Sequence, residues 1–118
     1  MPIARRQEKT FLDLPRRFTD SQLAKIMNEA LIYMCACPAQ VCKEIVQLRG
    51  LWKYQQDCLK RADAPVVHEL IAKKVILAHQ VMEECLEFIL ELEGWDPETL
   101  SMPENLRTLR NEEIGLLE

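Results

Sequence analysis

The longest unbroken pattern of apolar and polar positions runs over residues 64–93. Val67, Ile71, Lys74, Ala78, Val81, Cys85, Phe88 and Leu92 recur at alternating spacings of four and three. That spacing marks the seam of a helix packed at a shallow angle against other helices. Val66, Leu70, Val75, Leu77, Met82, Leu86 and Ile89 widen the seam on both sides. The apolar arc therefore covers about half the circumference, more than one neighbouring helix would hide. Glu69, Lys73, Gln80, Glu83, Glu87 and Glu91 mark the expected solvent face. Pro65 suits a first helical position, where its missing N–H costs nothing. Gly94 suits a left-handed stop. At about 1.5 Å per residue this helix would be roughly 43 Å long.

Two further helices are expected before it. Thr19 or Asp20 caps the first, and Leu23, Met27, Ala30, Met34 and Cys37 form its seam. It is expected to end near Ala36, because Pro38 disfavours α geometry in the residue before it. The second covers residues 38–61, with Val41, Ile45, Leu48, Trp52, Gln55 and Leu59 as its seam. Gly50 lies inside it and suggests a kink or a close backbone approach. The connection at residues 61–64 is short, so the second and third helices should be antiparallel neighbours. Their seams then fall into register: Leu59 faces Val67, Leu48 faces Ala78 and Val41 faces Cys85. Lys74 falls opposite Trp52, where its long stem is expected to snorkel to water.

Beyond Gly94, Asp96 is expected to cap a short helix that begins at Pro97, with a second short helix over residues 104–117 after Pro103. The expected architecture is all-α: an up-down-up bundle of three main helices plus a short C-terminal helical segment. Residues 1–18 read as a basic N-terminal arm and residues 19–118 as a single helical domain. Phe11, Leu12, Leu14 and Phe18 give the arm apolar anchors for docking on a groove.

Charge adds an asymmetry that the net value of −4 conceals. Residues 1–18 sum to +3 and residues 83–118 to −9. A basic arm and an acidic end attract each other, within one chain or between two. Five basic residues interleaved with acidic ones are a weak nucleic-acid footprint, which argues against such a partner. The longest apolar run, residues 31–37, is too short to cross a bilayer, so no membrane role is expected. No apolar stretch of a secretory signal follows the basic start. Five cysteines without export fit a reducing cytoplasm.

The thiols supply the candidate chemistry. Cys35, Cys37 and Cys42 lie close in sequence, and the hairpin register brings Cys85 to the same end of the bundle. Four thiolates could hold zinc, copper or an iron–sulfur centre. Their spacing is not a paired CxxC pattern, and a free cysteine also serves as a small buried hydrophobe. A thiol near a helix start could have a lowered pKa and act in redox chemistry. Cysteine nucleophilic catalysis would need a nearby histidine, and His68 and His79 lie elsewhere. His79 and Glu83, one turn apart, could chelate a metal, but they are expected on a solvated helix edge. With three glycines in the chain there is no phosphate-cradling loop, no G-x-S-x-G and no HExxH.

The function expected from these features is a non-enzymatic helical interaction or adaptor protein of regulatory type. It would act as a homodimer or with a protein partner through its apolar helix face, without a cofactor. The alternative is a small metal-binding or redox protein using Cys35, Cys37, Cys42 and Cys85.

Overall fold

The computed structural model describes residues 13–32, 36–61 and 65–103. Among the described residues there are three helices: α1 (Asp20–Ile32), α2 (Ala36–Arg61) and α3 (Pro65–Glu93). Among the described residues there is no strand, and no helix is long and apolar enough to cross a membrane. The expected helix over residues 104–117 lies outside the described residues, as do Phe11 and Leu12 of the arm.

Local chemistry explains most of the boundaries. Thr19 opens α1 with a reciprocal cap. Its Oγ1 accepts from the Gln22 N–H at 3.1 Å, and its own N–H donates to Gln22 Oε1 at 2.8 Å. The last described residue of α1 is Ile32, and residues 33–35, just before its expected end, lie outside the described residues. α2 begins at Ala36, before Pro38. Pro38 still sits in the first turn, where its missing N–H has no intrahelical partner to lose. Pro65 starts α3 as expected. Gly94 ends it at φ 77°. The Gly94 N–H donates to the Glu91 carbonyl at 3.1 Å and the Trp95 N–H to the Leu90 carbonyl at 2.9 Å. These are the two bonds of a Schellman stop, with Trp95 and Leu90 both buried beside it.

The segment after α3 corrects one expectation. Asp96 does cap, accepting at Oδ1 from the N–H groups of Glu98 at 2.8 Å and Thr99 at 3.1 Å. These bonds hold its carboxyl below the ordinary carboxylate range. What it caps is a single turn rather than a helix. The turn ends at Leu100, whose φ of 56° is uncommon for a branched side chain. Burial of Leu100 in the core holds it there. Met102 donates its N–H to Glu29 Oε1 at 3.1 Å, tying this segment back to α1.

α2 packs against both α1 and α3. The main core lies at one end of the long helices. Phe18, Leu23, Ile26 and Ala30 meet Ala39, Cys42 and Ile45 of α2, Leu86 and Leu90 of α3, and Trp95, Leu100 and Met102 from the returning segment. α1 has 13 residues against 26 in α2 and 29 in α3, so it covers only part of their length. The remaining stretch of α2 and α3 buries little apolar surface beyond Cys58, Ala72 and Val75. A two-helix layer this thin has little to hold it unless something packs on it.

The buried face of α3 is not the expected seam. Its buried residues are Ala72, Val75, His79, Glu83, Leu86 and Leu90. Val67, Lys74, Ala78, Val81, Phe88 and Leu92 are exposed instead. Lys74 therefore has no need to snorkel, and Glu83 and His79 leave the solvent face for the interior. The physical reason is that the apolar arc of α3 is wide enough to hold two candidate seams, so periodicity alone could not say which of them faces inward. At Gly50, an added Cβ would meet nothing within 4 Å, which removes the expected close approach.

Candidate functional site

Two features of α3 stand back to back: a buried polar cluster on its inner face and an exposed apolar stripe on its outer face. The inner cluster centres on Arg49, which α2 points at α3 and of which only 6% is exposed. Its Nε donates to His79 Nε2 at 3.0 Å, and its Nη1 to Asp20 Oδ1 at 2.6 Å. Nη2 donates to the Phe18 carbonyl and, at 3.1 Å, to Glu83 Oε2. The same Glu83 oxygen accepts the backbone N–H groups of Arg17 at 2.9 Å and Phe18 at 3.1 Å. One oxygen thus takes three donors, and one guanidinium reaches four acceptors.

The arrangement assigns the protonation of His79. Arginine can only donate, so Nε2 must accept, and the imidazole is neutral with its proton on Nδ1. That proton faces Glu83 Oε1 at 3.6 Å, too far for a hydrogen bond. Burial pushes the His79 pKa down from its ordinary value. The Glu83 charge opposes this, while Arg49 and Arg16 add to it. Outside the cluster, Arg17 reaches Glu87 at 2.9 Å and Glu84 at 3.3 Å. Arg17, at the end of the basic stretch, thus lies on the acidic half of α3 within one chain. Leu14 and Phe18 of the same stretch are buried. Chemically the cluster is a clamp. It fastens Arg17, Phe18 and the start of α1 to the α2–α3 pair, and its Glu83 Oε2 and Arg49 donors are already used internally.

The outer face differs in kind. Val66, Val67, Leu70, Leu77, Val81, Phe88 and Leu92 of α3 are between 55% and 87% exposed. Val67, Lys74, Val81 and Phe88 recur every seventh residue, and Leu70, Leu77, Glu84 and Glu91 follow each by three. This is the a/d spacing of a helix that pairs with another helix. A contiguous apolar stripe of this length is uncommon on a monomer surface and marks interaction sites.

The thiols are distributed as follows. Cys37 is exposed, Cys42 and Cys58 are buried, and Cys85 is half-buried. Cys35 lies outside the described residues. Among the described residues no three His, Cys, Asp or Glu side chains are grouped to hold a metal. Burial pushes the Cys42 thiol up to about 12, against the thiolate that a metal or a redox partner needs. His68 is engaged with Gln55 Oε1 at 2.8 Å through its Nδ1.

Sequence reasoning did not single out Arg49. A signal was present in the hairpin register, which brings the stretch around Arg49 to the level of His79 on α3. No family model matches the chain, and the chain has no significant match among curated proteins or solved structures.

Proposed function

We propose that this chain is a non-enzymatic helical interaction protein, an adaptor built as an up-down-up bundle, that self-associates through the outer face of α3. One observation carries the reading: seven large apolar side chains, each more than half exposed, line one side of a single helix. A stable interface takes about 800 Å² from each partner, and seven such side chains supply an area of that order. The thin half of the α2–α3 pair supports the same reading, because a second helical layer would complete its core. The buried cluster supports it too. Its hydrogen bonds are spent on holding the arm in place, which is a structural rather than a catalytic use of Arg49 and Glu83. A reducing cytoplasm suits a protein whose thiols stay free.

Sedimentation equilibrium tests the proposal. The mass should rise with concentration toward twice that of the chain. Val81→Glu places a charge in the middle of the stripe and should hold the protein at the monomer mass with its helical circular dichroism unchanged. A wild-type mass that stays monomeric at every concentration would overturn the reading.

A further inference from the structure

We infer that the occupant of the α3 stripe is a second copy of the same chain lying antiparallel, with the two-fold axis beside residue 79 and Lys74 of each chain facing the partner's Glu84. The inference rests on the self-association proposed above and adds orientation and register to it.

In an antiparallel pair, each residue of the first series shares a layer with a residue of the second series on the other helix. Residue 79 is the midpoint of the stripe. Val81 and Leu77 lie two residues either side of it, Phe88 and Leu70 nine, and Lys74 and Glu84 five. The two-fold operation about that midpoint therefore makes apolar layers of Val81 with Leu77 and of Phe88 with Leu70, each formed twice. The layer that contains the exposed lysine receives a glutamate. The closed interface is isologous, so both copies are satisfied by the same contacts.

Charge rejects the parallel alternative. Parallel pairing sets each seam residue against its own copy. Lys74 would meet Lys74, Glu84 would meet Glu84 and Glu91 would meet Glu91, all in or beside the seam. Every polar layer would then be a like-charge contact, which is destabilising. Antiparallel pairing replaces the Lys74 and Glu84 like-charge layers with two Lys–Glu layers and sets each Glu91 opposite the partner copy's Val67 at the ends of the seam, so no like-charge layer remains. A charged residue at a core position of a helix pair sets orientation and register at some cost in stability. Glu84 accepts from Arg17 in its own chain, and 38% of its side chain still faces solvent.

The fold supplies a second argument. α1 and the returning segment thicken the molecule around residues 81–93, while residues 65–77 belong to the thin half. Antiparallel pairing lays the thin half of each copy along the thick half of the other. Parallel pairing would leave both thin halves together at one end.

Charge reversal tests the inference, read by sedimentation equilibrium of the full chain. Lys74→Glu turns two attractions into two repulsions per dimer, and should weaken association about tenfold. Glu84→Lys should weaken it similarly. An equimolar mixture of the two variants should associate as tightly as wild type. In the mixed dimer both polar layers again join a lysine to a glutamate, one layer with its charges in the native order and the other with them exchanged. If each single variant associates as tightly as wild type, self-association stands but the antiparallel register is overturned. If wild type itself stays monomeric, both the register and the proposed function fail; residues 104–118 of the same chain or another protein would then be the occupant.

Discussion

Removing the Arg49 guanidinium should be among the most damaging single changes to this fold. Arg49→Met keeps the apolar stem and deletes four hydrogen bonds, to His79, Asp20, the Phe18 carbonyl and Glu83. Glu83 is 1% exposed, so its carboxylate would remain buried with only two backbone N–H groups as partners. Breaking a buried ion pair from one side typically costs about 3–5 kcal/mol, chiefly because the remaining charge is uncompensated. A domain of this size has about 5–15 kcal/mol in all. At roughly 4 °C per kcal/mol, the melting temperature should fall by about 12–20 °C. Urea unfolding followed by circular dichroism measures the effect, at one fixed protein concentration because association also contributes to apparent stability. Arg49→Met with Glu83→Leu provides the second leg. It removes the stranded charge but still leaves the Arg17 and Phe18 N–H groups without their acceptor. The double variant should therefore recover about 1–3 kcal/mol relative to additivity, not full stability. A loss below about 1 kcal/mol for Arg49→Met alone would show that water solvates the cluster and would refute the clamp.

Two other perturbations probe the same structure. The folded-state pKa of His79 lies below its unfolded value, so the unfolded chain binds the extra proton; stability should fall as pH drops through about 6.5, by up to about 1.4 kcal/mol per pH unit, and His79→Gln should flatten that slope in denaturation measured between pH 5.5 and 8. Gly50→Ala adds a methyl group to open space inside α2 and should stabilise the protein by about 0.5–1 kcal/mol in the same assay; a loss would mean that the backbone at Gly50 is constrained after all.

The elements were largely legible in the sequence because their punctuation is local chemistry. Thr19 and Gln22, Pro65, and Gly94 with Trp95 mark helix ends through bonds made within a few residues. The hairpin register was legible too. Leu48 was expected opposite Ala78, and Arg49 in fact bonds to His79, one residue along on each helix. The inward face of α3 was not legible, because hydrophobic periodicity selects a face only when the opposite side is polar. On α3 both sides are apolar, and a long-range event decides between them. Arg49 reaches in from α2, Glu83 takes the arm's N–H groups, and a His-Glu pair that looks solvated in sequence becomes the interior. The same ambiguity is informative, since an apolar arc wider than one neighbour can hide points to a second covering layer. The thiol end was legible only as a list of neighbours. Cys42 is buried at 0% exposure while Cys37, five residues before it, is exposed, and sequence spacing does not distinguish a packed thiol from a reactive one.

The central claim is that the outer face of α3 is covered by association, and side-chain footprinting against protein concentration tests it most directly. A photo-generated carbene labels exposed apolar side chains, and mass spectrometry reads the labelling of Leu70, Leu77, Val81 and Phe88. Their labelling should fall together as concentration rises, while that of Tyr54, exposed on α2, serves as the reference and should fall less. Labelling of the α3 stripe that stays constant from dilute to concentrated protein would contradict it.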